Sequence, residues 1–163
     1  MTKEVHSRTV SWTDPAEYAS HWETMSGLEF LRALRDGSIE EPPIAMLVGF
    51  RIIEVEGGRV AFEFTPSEWH YNFSGNVQGG VPSSVIDAAT GSAVYSLLPA
   101  GVRYTSLDLK VNYVRPITLE SGPLRCEAWT VHMGTRTGIA EAKLTDRQGR
   151  LYAFGTSTCM IFR

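Results

Sequence analysis

Alternating apolar and polar positions dominate the second half of the chain and predict strands. In one run, Leu107, Leu109, Val111 and Tyr113 alternate with Ser106, Asp108, Lys110 and Asn112. Similar runs follow at 123–132, 137–146 and 151–162, separated by turn residues. Because a period of two places one side of a strand on a core and the other in water, residues 103–163 predict an antiparallel meander.

A hairpin is predicted earlier, over residues 46–65, where two apolar runs flank Gly57-Gly58. A glycine pair between such runs is a strong hairpin signal. Residues 13–37 have apolar positions near helical spacing, with a possible division at Gly27 and an end at Gly37. The segment 37–44 that follows, with two prolines, predicts a break.

A second helix is predicted after the long polar loop 66–80. It starts at Gly79-Gly80, has Pro82 in its first turn and ends before 99–101. Small residues recur along one side of this helix, which favours close packing on a sheet. Helices, two strands, a helix and then a strand meander define an α+β plan.

Composition and net charge limit the classes of function that this chain can have. The 163 residues are 43% apolar and 20% charged with a net charge of −3, which predicts one domain over 1–163 with residues 1–45 as a helical extension. Without a basic excess, a nucleic-acid partner is not expected. Cys126 and Cys159 lie apart in apolar runs, and they form no metal-binding pattern with the four histidines. We expect no metal, no other cofactor, no membrane span, no signal peptide and a cytoplasmic protein.

The stretch from Asn72 to Asp87 contains the candidate chemistry. Gly79 and Gly80 precede a helix, whose first N–H groups lack partners and can stabilise an oxyanion. Asp87 follows two turns later on a segment that is otherwise apolar or small, where a carboxylate is costly unless it is paired or functional. From the residues alone, a solvent-facing Asp87 and a simple glycine turn stay open.

This stretch resembles the PaaI-type acyl-CoA thioesterases of the hotdog superfamily. Their pattern is an asparagine, a glycine, then His-Gly-Gly and an aspartate on the central helix, matched here by Asn72, Gly75, 78–80 and Asp87. The similarity covers about residues 26–162. It implies one long central helix wrapped by a curved antiparallel sheet, and a homodimer or tetramer with its sites at the subunit interface.

The resemblance also implies roles for individual residues. Asp87 is expected to act as general base or nucleophile, Gly79 to donate its N–H to the thioester carbonyl, and Asn72 to help position that carbonyl. Ser106 matches a family serine that holds the attacking water. Gln78 stands where the family has histidine, and with Gly80 it is expected to contact the substrate; glutamine cannot titrate, which leaves a non-catalytic acyl-CoA binding protein as an alternative.

Two further sets of residues complete the expectations. A hotdog dehydratase using His70 is a weaker alternative. The CoA phosphates have candidate partners in Arg136, the best placed by its turn, and in Arg103, Lys110 and Arg115. The tryptophans, Trp22 among them, are expected to fill core or interface.

Overall fold

The computed structural model of the protein describes residues 4–162. Six strands form one antiparallel sheet: β1 Phe50–Glu56, β2 Arg59–Phe64, β3 Arg103–Tyr113, β4 Leu124–Met133, β5 Thr137–Thr145 and β6 Leu151–Phe162. Their spatial order is β1-β2-β4-β5-β6-β3, so β1 and β3 form the two edges. The predicted plan of a curved antiparallel sheet around one long helix is confirmed.

In the part of the chain that the structure describes, four α-helices accompany the sheet: α1 Ala19–Thr24, α2 Gly27–Arg35, α3 Pro43–Val48 and the central α4 Gly80–Tyr95. The second half of α4, residues 89–95, is buried throughout. Glycines make this packing possible, because a Cβ at Gly91 would lie 2.8 Å from the Tyr104 ring and one at Gly138 would lie 2.7 Å from Val94. None of the helices within residues 4–162 has the length and apolar character that a membrane crossing requires.

The first half of α4 is less enclosed, and one narrow stripe of it stays half-buried or exposed. This stripe is made of Gly80, Val81, Ser83, Ser84, Asp87 and Ala88. Residues three and four apart share a helix face, so the stripe is one continuous surface. It is the side of α4 that the sheet leaves uncovered.

The N-terminal helical region divides near the predicted point. A 3-10 turn at Pro15–Tyr18, whose start Asp14 caps by accepting the Ala16 N–H at 2.9 Å, leads into α1. Ser26 then begins α2 with a reciprocal hydrogen-bonded cap to Glu29. The chain leaves α2 through Gly37, which has a φ of 75°.

The start of the predicted hairpin is wrong. Residues 46–48 belong to α3 and not to a strand, and β1 starts only at Phe50. Pro43 suits the first helical position, and Gly49 ends the helix at a φ of 81°. A short apolar run does not distinguish helix from strand by its pattern alone.

The alternation predicted in β3 also needs a correction, because the strand contains a bulge. Its register with β6 shifts between Ser106 and Asp108, so that Ser106 lies opposite Cys159 and Leu109 lies opposite Ser157. One extra residue moves the preceding side chains to the other face. Ser106 therefore faces α4 together with Leu109, whereas simple alternation had placed them on opposite faces.

Candidate active site

Asp87 and Ser106 meet between α4 and β3. Asp87 lies on the half-buried stripe of α4, and its Oδ1 accepts a hydrogen bond from Ser106 Oγ at 2.8 Å. The bulge in β3 makes this contact possible, since it turns Ser106 towards the helix. The structure thus brings together two of the residues predicted from the sequence.

Asp87 opens into a cavity of about 440 Å³ within this one chain. The cavity lies between one side of α4, the N-terminal helical region, the β1–β2 hairpin and the start of β3. Most of its wall is aromatic or aliphatic, and the aromatic side chains are Tyr18, Trp22, Phe30, Phe50, Phe62, Tyr95 and Tyr104. A pocket of this size and character suits an apolar organic group.

Few polar groups interrupt this wall. Besides Asp87, they include Glu41, Ser84, Ser92 and Arg103. Burial raises the pKa of the Glu41 carboxyl, while an N–H of Ile52 and the charge of Arg51 act against this. Burial, with smaller contributions from Cys159 and Asp87, raises the pKa of the Tyr104 phenol, so Tyr104 is uncharged at neutral pH.

Tyr113 organises the N-terminus of α4. Its hydroxyl donates to the Gly79 carbonyl at 2.8 Å and lies 2.6 Å from Ser83 Oγ. A Cβ at Gly79 would lie 3.1 Å from the Tyr113 ring, so this close approach favours glycine. Within residues 4–162, no acceptor is found for the N–H groups of Gly79 and Gly80. This role of Tyr113 was not predicted from the sequence, although its place in the β3 alternation was a signal.

Asn72 holds its own loop and does not line the cavity. Its Oδ1 accepts the Ser74 N–H at 2.8 Å, and its backbone N–H donates to the Asn76 carbonyl at 2.8 Å. Gly75, with a φ of 75°, makes the turn between them. The neighbouring Gln78 is exposed, and its backbone N–H donates to the His70 carbonyl at 2.8 Å.

Gly79 and Asp87 lie far apart within one chain. From position 79 to position 87 is eight residues, which at 1.5 Å of helical rise per residue is about 12 Å along the axis. To act on the same carbonyl as the Gly79 N–H of its own chain, the Asp87 side chain and the substrate would have to span most of this distance. The resemblance implied both roles and a site at the subunit interface, but it did not divide the two groups between the subunits.

His70 is part of the core and does not face the cavity. It is 5% exposed, its Nδ1 accepts the Ser67 N–H at 3.0 Å, and its ring packs on Phe64 with centroids 5.2 Å apart. Burial lowers the pKa of the imidazole. Within one chain, His70 and Asp87 do not share a pocket, so this geometry does not favour the dehydratase alternative.

The predicted phosphate-binding cations lie outside the cavity, with one exception. Lys110, Arg115 and Arg136 are exposed, and Arg115 lies over the Tyr152 ring at 5.7 Å. Arg103 lines the cavity, with its guanidinium 5.3 Å from the centre of the Trp22 ring. The described residues contain no group of three or more His, Cys, Asp and Glu side chains arranged to hold a metal ion.

Known proteins share this fold and this sequence pattern. A family model described as "Thioesterase superfamily" matches residues 74–153, which include Asp87 and Ser106. The protein named "Putative esterase" of Halobacterium salinarum is 28% identical over 142 residues, covering 80% of this chain and 92% of that protein.

Two solved structures extend the comparison. The phenylacetic acid degradation-related protein of Ralstonia eutropha is 26% identical, with a TM-score of 0.73 over 80% of this chain and 98% of that one. A Streptococcus mutans protein bound to acetyl CoA has the same fold at 23% identity, with a TM-score of 0.63 over 69% of this chain and 88% of that one. The chain thus has the hotdog fold, and over residues 74–153 it has the sequence pattern of the thioesterase superfamily. Within it, the predicted resemblance to phenylacetate-related thioesterases is confirmed.

Proposed function

We propose that this protein hydrolyses the thioester of a small or medium acyl-CoA or aryl-acyl-CoA, with Asp87 as general base or nucleophile. The observation that carries the proposal is the Asp87–Ser106 pair at the wall of an aromatic cavity. An acyl group in this cavity would place its carbonyl carbon near the one carboxylate that the α4 stripe presents.

The chemistry requires little more than these groups. As general base, Asp87 takes a proton from water while the water oxygen bonds to the carbonyl carbon. The C–S bond then breaks, and the CoA thiolate takes up the proton, which leaves a free acid and CoA. As nucleophile, the Asp87 carboxylate bonds to the carbonyl carbon and the C–S bond breaks, which releases CoA thiolate and leaves an anhydride. Water then hydrolyses the anhydride to the free acid and the Asp87 carboxylate, and the proton released goes to the thiolate. Either route develops negative charge on the carbonyl oxygen, which needs a preorganised donor.

We propose that this donor is the Gly79 N–H of a second subunit. The separation of about 12 Å between Gly79 and Asp87 along one helix supports the assignment to two chains. The β3 strand offers a surface for such a partner, because it is an eleven-residue edge strand that contains Ser106. Pairing of β3 with its copy would give a homodimer with two equivalent sites. A tetramer built from two such dimers is compatible with the same site.

The CoA part is proposed to bind outside the cavity. The acetyl CoA bound to the Streptococcus mutans neighbour supports a CoA ligand for this fold. Exposed cations at Lys110, Arg115 and Arg136 are available for its phosphates. Gln78 and Gly80, exposed at the start of α4, are proposed to contact the substrate beside the carbonyl.

Thiol release from a panel of acyl-CoAs tests the proposal. Wild type is expected to turn over at least one substrate, and Asp87→Asn is expected to lose about a hundredfold or more in kcat, the usual contribution of a general base. Asp108→Asn is the matched control, because this aspartate lies on the same β3 strand as Ser106 but binds the Thr158 N–H. It is expected to stay within about threefold of wild type.

Two results would contradict the proposal. Wild-type turnover in Asp87→Asn would remove Asp87 from the chemistry. Binding of acyl-CoAs without any thiol release would instead favour the non-catalytic binding protein. In that case Gln78→His would show whether the family histidine restores hydrolysis.

A further inference from the structure

We propose that the segment from Pro15 to Thr24 is the end wall of the acyl cavity, and that Trp22 sets the longest acyl group the protein accepts. This inference rests on the proposed function, because it assumes that the cavity holds the acyl group. Trp22 was expected from the sequence to fill core or interface. In the structure it lines the same cavity as Asp87.

The wall stands at the far end of the cavity from Asp87. Tyr95, eight residues beyond Asp87 on α4, lies about 12 Å further along the helix axis. The Phe30 ring meets Tyr95 edge-on with centroids 5.9 Å apart, and the Tyr18 ring meets Phe30 at 6.4 Å. An acyl chain that starts at Asp87 and follows α4 therefore ends against the N-terminal segment.

Hydrogen bonds hold this wall in place. The Trp22 carbonyl accepts the Gly101 N–H at 2.8 Å, and the Tyr18 hydroxyl donates to the Glu41 carbonyl at 3.1 Å. The Arg103 guanidinium lies over the Trp22 ring, 5.3 Å from its centre. The wall is thus attached to Gly101 on one side and to Glu41 on the other, so the space in front of it is fixed. An acyl chain longer than this space would strain the packing, because a well-packed interior does not accept extra methylenes.

The length limit would belong to this chain and not to the fold as a whole. Residues 15–24 lie outside the stretch 74–153 that carries the family match. The carboxylate, the serine and the helix N-terminus are all inside that stretch or beside it. The chemistry would thus come from the shared core and the acyl specificity from the extension.

A series of saturated acyl-CoAs of increasing length tests the wall. Each methylene that enters the cavity is expected to raise kcat/KM about fourfold, from the transfer free energy of a buried CH₂, until the chain reaches Trp22. Beyond that length kcat/KM should fall. Trp22→Ala should move the optimum at least two carbons higher, with about a tenfold or greater gain on the first chain that wild type rejects. The optimum acyl length of Trp22→Leu should lie between those of wild type and Trp22→Ala.

Trp12→Ala is the matched control. Trp12 precedes the same segment but is 64% exposed and does not line the cavity. Its substitution should leave the optimum at the wild-type length. A shift of the same size in Trp12→Ala would show that general loosening of the extension, and not loss of the wall, changes the preference.

Dissociation constants separate this inference from the proposed function. Titration calorimetry with the same acyl-CoAs, in Asp87→Asn with and without Trp22→Ala, measures chain-length preference without turnover. If wild type hydrolyses nothing but Trp22→Ala shifts the binding optimum, the wall stands and the thioesterase proposal fails. If wild type hydrolyses acyl-CoAs, and both Trp22→Ala and Trp22→Leu fold but keep the wild-type optimum, the wall proposal is refuted and the thioesterase proposal stands. If no acyl-CoA binds, both are refuted.

Discussion

Removing the hydroxyl of Ser106 isolates what the Asp87–Ser106 contact contributes. Ser106→Ala deletes the hydrogen bond of 2.8 Å to Asp87 Oδ1 and leaves the cavity wall otherwise intact. A hydrogen bond to a charged group contributes about 1.5–3 kcal/mol, equivalent to about 10- to 150-fold in rate at 1.36 kcal/mol per factor of ten. Because Ser106 is exposed to solvent in the single chain, water can replace part of the contact, and we expect the lower end, about 10- to 30-fold in kcat.

The position of the hydroxyl predicts how this loss divides between the kinetic constants. Ser106 donates a hydrogen bond to Asp87 and does not line the cavity. The KM should therefore stay within about threefold, while kcat and kcat/KM fall together. Ser106→Thr, which keeps a hydroxyl on the same carbon, should recover most of kcat.

Steady-state thiol release and thermal unfolding provide the assay. The same hydrogen bond also stabilises the folded chain, so losing about 1.5 kcal/mol should lower Tm by about 3–6 °C. Thr105→Ala is the control, because its residue is adjacent on β3 and points to the other face. Wild-type kcat in Ser106→Ala would refute the positioning role. A large fall in Tm that Ser106→Thr does not reverse would show that the residue acts through the fold instead.

Three further results are expected. Gly27→Ala should lower stability by about 3 kcal/mol in thermal unfolding, because its Cβ would lie 1.8 Å from the Tyr95 carbonyl oxygen. Gly57→Ala should keep the wild-type stability, because its Cβ would meet only Leu97, at 3.8 Å. Equal losses of Tm in the two variants would contradict this prediction. Glu41→Gln should be more stable than wild type at pH 8 and equal to it at pH 4 in chemical unfolding. Burial raises the pKa of the Glu41 carboxyl in the folded state above its ordinary value of 4.5. Ionisation above that pH therefore costs the folded state more than the unfolded state, and glutamine avoids this cost. A constant difference across this range would be the contrary result. Burial raises the pKa of the Cys126 thiol to about 12, so an aromatic disulfide reagent should label it at pH 8 only after unfolding, and rapid labelling of native protein would contradict its burial.

The sequence predicted the elements whose signal is local. The strands of 103–163 followed from the period-two pattern, and the central helix from the glycine pair and Pro82 at its start. The predicted meander holds only for β4, β5 and β6, because β3 pairs with β6 at the edge of the sheet and not with β4. The same reasoning failed at 46–48, because three apolar residues fit a buried helix as well as a strand. Tertiary packing on β1 decides that case, and it leaves no periodic trace in so short a run.

The site was predicted in part, for a related reason. Asp87 and Ser106 were both named, but their contact depends on a one-residue bulge that alternation alone does not reveal. The separation of Gly79 from Asp87 was available from the helical rise alone. The cavity wall at Trp22 was not, because it requires knowing where a separate N-terminal segment docks.

The incomplete enclosure of α4 has a consequence for how this protein can change over evolution. Its second half tolerates few substitutions, because every side chain there packs against the sheet or the other helices. The proposed base Asp87 lies on the half-buried stripe, which contributes little to that packing. Substitutions on the stripe can therefore remove, restore or change the activity while the scaffold stays folded. A thioesterase and a non-catalytic acyl-CoA binding protein on this fold are thus separated by few substitutions.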